Sequence, residues 1–142
     1  MTKEDWKQIE HSLSYSYGAA DLVVDGREVA LRVVRGKGLR YVIAVYVDGW
    51  MKGEWFTHDC EERRRFMRPV VSVAAKPSEI ARMRKACGKR YAEQFRQRMT
   101  FTYYQSFWPS FVALRRHLVK NNQSIELKAS SELKVTNATP AA

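Results

Sequence analysis

Four arginines crowd into six positions, Arg63, Arg64, Arg65 and Arg68. A guanidinium offers a planar fork of N–H donors that pairs bidentately with phosphate or carboxylate. This is the densest anion-binding candidate in the chain. Further along, Arg82, Lys85, Lys89 and Arg96 fall within roughly 60° of one another on a helical wheel of about 100° per residue. Together the eight side chains would track a nucleic-acid backbone. The competing reading is a solvated face, partly neutralised by Glu61, Glu62 and Glu79.

A second chemical feature is aromatic. The segment Phe101 to Phe111 holds six aromatics in eleven positions. Such rings stack on bases, anchor protein interfaces or fill cores, and the core is their commonest destination. Trp50 and Trp55 pose the same question on an expected strand, where alternation puts them on opposite faces. With Tyr103 and Tyr104 they are the candidate anchors for a protein partner. Arg84 and Arg98 fall on the apolar side of the long helix expected in this region, where an arginine extends to solvent or is paired, with the lining of a pocket as the alternative.

Catalytic and cofactor signatures are missing from the sequence. It contains no GxxxxGK[ST], GxGxxG or HExxH, and Gly36-Lys37-Gly38 reads as a turn. No GxSxG elbow occurs either. His58-Asp59-Cys60 is the nearest thing to a metal or nucleophile cluster. Three adjacent residues rarely converge on one ion, and zinc takes about four ligands, usually from two separated pairs. No RNP motif, KH loop or zinc finger is recognisable. The expectation is a non-enzymatic protein with no cofactor and no metal.

Charge sharpens this. The net charge is +10 over 142 residues, and residues 61–100 alone carry 12 Lys/Arg against 4 Asp/Glu. Residues 1–60 are close to neutral. A local basic excess points to an anionic partner more strongly than a diffuse one does. The two cysteines, Cys60 and Cys87, form no CxxC, which favours free thiols in a reducing compartment. The start, Met-Thr-Lys-Glu-Asp-Trp, has no apolar signal region, and the longest apolar run falls far short of the ~20 residues of a membrane helix. A cytoplasmic protein without membrane contact is expected.

Several stretches resemble small accessory proteins encoded by bacteriophages and prophages of Gram-negative bacteria. They are Tyr46 to Trp50, the Arg-rich segment 63–68, Trp108-Pro-Ser and His117 to Leu127. The resemblance implies a role in the host–phage contest, in which such a protein binds and blocks a host factor, CRISPR effector complexes included (anti-CRISPR activity). Many inhibitors of this kind are acidic mimics of DNA. A basic one would instead meet guide RNA or an acidic face of the effector.

The elements that must position these residues follow from periodicity. Trp6, Ile9 and Leu13 predict a helix from about Thr2 to Tyr17, with Thr2 and Asp5 at capping-box spacing and Gly18 as its stop. Strands are expected over 20–24, 27–35, 39–47 and 50–56. Asp25-Gly26 and Asp48-Gly49 form hairpin turns between them, and Gly53 is a candidate bulge. A short helix ending near Met67 and an extended connector over 70–75 follow. A helix capped by Ser78 runs to Arg98, with Ile80, Met83, Cys87, Tyr91 and Phe95 as its apolar face and Gly88 as a candidate break. Residues 101–107 read as extended, Pro109 opens a last helix ending near Asn121, and Ile125 to Leu127 suit a final strand. The fold class is α+β: an N-terminal helix, a four-stranded antiparallel meander, then two or three helices packed on the sheet. Residues 1–128 are expected to form one domain, followed by a disordered tail over 129–142. The partner is expected to be nucleic acid or a ribonucleoprotein, with a host protein complex as the alternative.

Overall fold

A computed structural model describes residues 1–128; the tail expected from 129 onward lies outside the described residues. The chain is α+β with an antiparallel sheet. It divides into two compact units. The larger comprises Met1–Arg68 and the chain from Gln105 onward, and the smaller is Pro69–Tyr104.

In the larger unit, helix α1 (Lys3–Ser12) begins with the expected capping box. Thr2 Oγ1 accepts from Asp5 N at 3.1 Å, and Asp5 Oδ2 accepts from Thr2 N at 2.9 Å. These bonds hold the Asp5 carboxyl below its ordinary pKa. The helix stops well short of Tyr17. Ser12 and Ser14 donate back to Gln8 O and His11 O, a local alternative to helix propagation. The chain then turns so tightly that a Cβ on Gly18 would sit 2.2 Å from the Ser12 carbonyl oxygen.

Three strands form the meander: β1 (Ala19–Val24), β2 (Arg27–Arg35) and β3 (Tyr41–Val47). At the Asp25-Gly26 turn both residues take positive φ, 47° and 82°, the conformation that suits a two-residue hairpin. Register places Leu22 opposite Val29, Leu31 opposite Val45 and Val33 opposite Ile43. All six are buried, so the alternating strands β1 and β2 and every second residue of β3 converge on one apolar face, while Ala44 of β3 is buried on the other.

The expected fourth strand, Trp50–Phe56, does not form. Trp50 makes only an isolated bridge to Val47. Gly53, at the cap position, takes helical backbone angles instead of forming a bulge, and a one-turn helix α2 (Glu54–Thr57) turns Trp55 into the core. Helix α3 (Glu61–Phe66) follows. The β3 edge is taken from much later in the chain by β6 (Phe107–Trp108), with Ile43 opposite Trp108. Buried Ser106 donates to Val45 O at 2.8 Å, and Val45 N donates to Ser106 O. After helix α6 (Phe111–Asn121), strand β7 (Ile125–Leu127) pairs with β1 at the opposite edge. The sheet order is therefore β6-β3-β2-β1-β7. Trp6, Ile9, Phe66, Met67, Leu114 and Leu118 complete the core.

The smaller unit holds most of two hydrogen-bonded strands, β4 (Arg68–Val73) and β5 (Thr100–Gln105). The stretch read as a connector is thus a strand. Between them lie two helices, α4 (Pro77–Cys87) and α5 (Lys89–Arg98), which pack against each other. Pro77, not Ser78, opens α4, with Lys76 at the cap position. Gly88 breaks the helix with φ 94° and ψ 164°, a region open in practice only to glycine. Ala75 and Ala92 are the buried apolar residues here. Ile80, Met83 and Phe95 are half-buried, whereas Cys87 and Tyr91, expected on the apolar face, are exposed.

Candidate nucleic-acid interface

The eight basic residues singled out in the sequence separate into two groups with different surroundings. Arg63, Arg64, Arg65 and Arg68 lie in the larger unit and are engaged within the chain. Arg65 pairs with Asp25 and with Glu61, both at 2.7 Å, and is largely shielded. Asp25 also accepts from Gln123 N and Ser124 N. Those two backbone donors, with Arg65 behind them, hold its carboxyl below the ordinary value. Arg27 adds Glu61 and Glu62 to the same network. Arg63 is half-buried and donates to Phe56 O, and Arg68 donates to Gln105 Oε1. Arg64 is the most exposed and pairs with Asp59 at 2.9 Å.

The backbone of this arginine helix is equally engaged. A helix leaves its last carbonyls without intrahelical partners. Here Met67 N donates to Arg63 O, His117 Nε2 to Arg64 O, Asn122 Nδ2 to Arg65 O and Trp108 Nε1 to Phe66 O. Asn121 Nδ2 lies 3.2 Å from His117 Nδ1, so the imidazole is held neutral, donating from Nε2 and accepting at Nδ1. Burial accordingly lowers the His117 pKa. Residues 108–122 thus act as a tertiary cap on α3.

Arg82, Lys85, Lys89 and Arg96 lie in the smaller unit. The single stripe expected of them requires one continuous helix. The Gly88 break puts Arg82 and Lys85 on α4 and Lys89 and Arg96 on α5. All four are exposed. Arg96 faces Glu93 at 3.6 Å; Arg82, Lys85 and Lys89 make no ion pair among the described residues. Four further exposed cations, Lys76, Arg84, Arg90 and Arg98, are in the same position. In the sequence they are legible only as part of the basic stretch. Pro69–Tyr104 carries 8 Lys/Arg against 2 Asp/Glu. Arg84, expected to be paired or extended, borders a shallow groove of about 610 Å³ with Ile80, Ala81, Glu93 and Arg96. Arg98 borders another with Tyr91, Gln94 and Gln97.

The aromatic candidates also separate. Trp55 is only 5% exposed, so it is a core residue and not an anchor, because α2 replaces the strand that would have presented it. Trp50, at the hairpin turn, is 63% exposed. On β5, Phe101 and Tyr103 are exposed with ring centroids 6.0 Å apart, while Tyr104 is half-buried. His58, Asp59 and Cys60 do not converge: His58 Nδ1 lies 2.8 Å from Thr57 Oγ1, and Asp59 faces Arg64. Among the described residues no group of three His, Cys, Asp or Glu side chains is placed to hold a metal ion. Both cysteines are unbridged, and no helix described is long and apolar enough to cross a membrane.

No protein family, curated protein or solved structure matches this chain. Function must therefore be read from the residues themselves.

Proposed function

We propose that this is a non-enzymatic binding protein whose smaller unit, Pro69–Tyr104, contacts nucleic acid, free or within a ribonucleoprotein. One observation carries the reading: seven exposed cations of that unit, Lys76, Arg82, Arg84, Lys85, Lys89, Arg90 and Arg98, have no acidic partner among the described residues. Uncompensated like charge repels itself, and a polyanion relieves that repulsion while releasing its own counterions. The arginines of α3 are already matched inside the chain and contribute little.

The test is fluorescence anisotropy with labelled oligonucleotides over a range of salt. Reversing Arg82, Lys85 and Lys89 to Glu should weaken binding strongly at low salt. It should also flatten the plot of log affinity against log salt by about 0.7 to 0.9 for each phosphate no longer neutralised. Reversing Arg64 should change little. Unaltered affinity and slope in the triple variant would remove the assignment.

A second reading, a phage-encoded inhibitor of a host defence complex, has its own support in the larger unit. Trp50, Leu39 (85%) and Tyr17 (72%) are exposed, and Tyr17 packs edge-on against Tyr41 at 6.4 Å. A specific host protein retained through nuclease and high salt, and released by Trp50→Ala, would favour it over the first.

A further inference from the structure

Resting on the nucleic-acid reading, we infer that the ligand of the smaller unit is a single strand whose bases stack on Phe101 and Tyr103. The two rings sit two residues apart on β5, hence on one face of the strand. They are 47% and 37% exposed and 6.0 Å apart. Apolar surface left in water by a unit that buries two alanines invites a partner. A second copy of the same unit is a poor one, because its excess charge has the same sign. A polyanion with apolar faces satisfies both the charge and the rings.

Duplex and single strand differ in what they offer such a surface. In a duplex the base faces are stacked on one another, and only edges and phosphates reach a protein. A single strand presents whole base faces, which stack on aromatic rings largely without regard to sequence. The cations supply the backbone contacts and the β5 rings the base contacts. Both lie within a unit of 36 residues, for which size scaling gives a radius of gyration of about 9 Å. One short strand can therefore reach both.

The full chain is titrated at low salt with a single-stranded DNA oligonucleotide, the RNA of the same sequence, and the DNA duplex. Either single strand should bind about tenfold or more tightly than the duplex. The double variant F101A/Y103A should lose about tenfold or more on single strands, keeping its duplex affinity and its salt slope. F101W/Y103W, which retains the rings, should bind like the parent, separating stacking from any folding defect. Equal or tighter duplex binding, or an alanine variant with unchanged single-strand affinity, overturns the stacking inference and leaves the basic-surface reading in place. Binding to none of the three removes that reading, and this inference with it.

Discussion

Arg65 and Arg82 belong to equally basic stretches but meet opposite conditions. Arg65 has two carboxylates at 2.7 Å and is largely shielded from water. Arg82 is exposed on α4 with no ion pair among the described residues. The same contrast holds for apolar residues. The larger unit buries Phe66, Leu22, Leu31 and Leu114 almost completely, and the smaller one buries only Ala75 and Ala92. In the larger unit, the arginines of α3 and the apolar face of the sheet are satisfied within the chain. In the smaller unit charge and apolar surface face outward. A run of arginines is therefore a weak guide to a binding surface until the acidic residues that fold against it are known.

The comparison breaks most visibly if the cores are not so unequal. Phe66→Ala should cost the larger unit about 3–5 kcal/mol, since it removes a fully buried ring and leaves a cavity. Phe95→Ala, at a half-buried site, should cost less than half as much. Denaturant unfolding followed by residue-resolved hydrogen exchange checks both. Equal losses would mean that the smaller unit has a core of its own.

A middle-sized effect is expected at the helix break. Gly88→Ala forces a side chain into a backbone region that costs about 1–3 kcal/mol. The relaxed alternative is one continuous helix from Pro77 to Arg98. Helicity should rise by circular dichroism, while exchange protection falls on α4 and α5 and stays unchanged on β1–β3. Unchanged protection in both helices would show that the break is not needed for their packing.

The smallest expected effect is a pH dependence in the larger unit. His117 is held neutral with a lowered pKa. Its stabilising contribution is complete above about 6.5, the unfolded value, and is lost as pH falls from there through the folded value. Asp25 is also lowered. Its contribution is complete above about 3.9 and is lost at still lower pH. Asp25→Asn should therefore reduce stability at neutral pH and flatten the acid end of the curve, and His117→Gln should flatten the step below 6.5. Denaturant midpoints between pH 7 and pH 2 report both. An unaltered acid limb in Asp25→Asn would show that its hydrogen bonds and ion pair add nothing to stability.

The signals that the sequence announced correctly act within a few residues of one another. The Thr2–Asp5 box, the Asp25-Gly26 turn, the alternation along β2 and the candidate break at Gly88 each depend on neighbouring backbone alone. Residues near in sequence meet whatever the rest of the chain does, so the α+β class and the antiparallel pairing of the first three strands were readable. The missing fourth strand and the fate of the two arginine groups were decided over long separations. Phe107 and Trp108 take the β3 edge from more than sixty residues away, and the carboxylate of Asp25 collects Arg65, Gln123 and Ser124. Such pairings depend on which edges and carboxylates remain unfilled once the sheet has closed, and no local spacing records that. The sequence alone determined where the positive charge is concentrated; only the tertiary structure decided which charges are neutralised within the chain and which face solvent, because neutralisation requires a distant acidic group to arrive within a few ångströms.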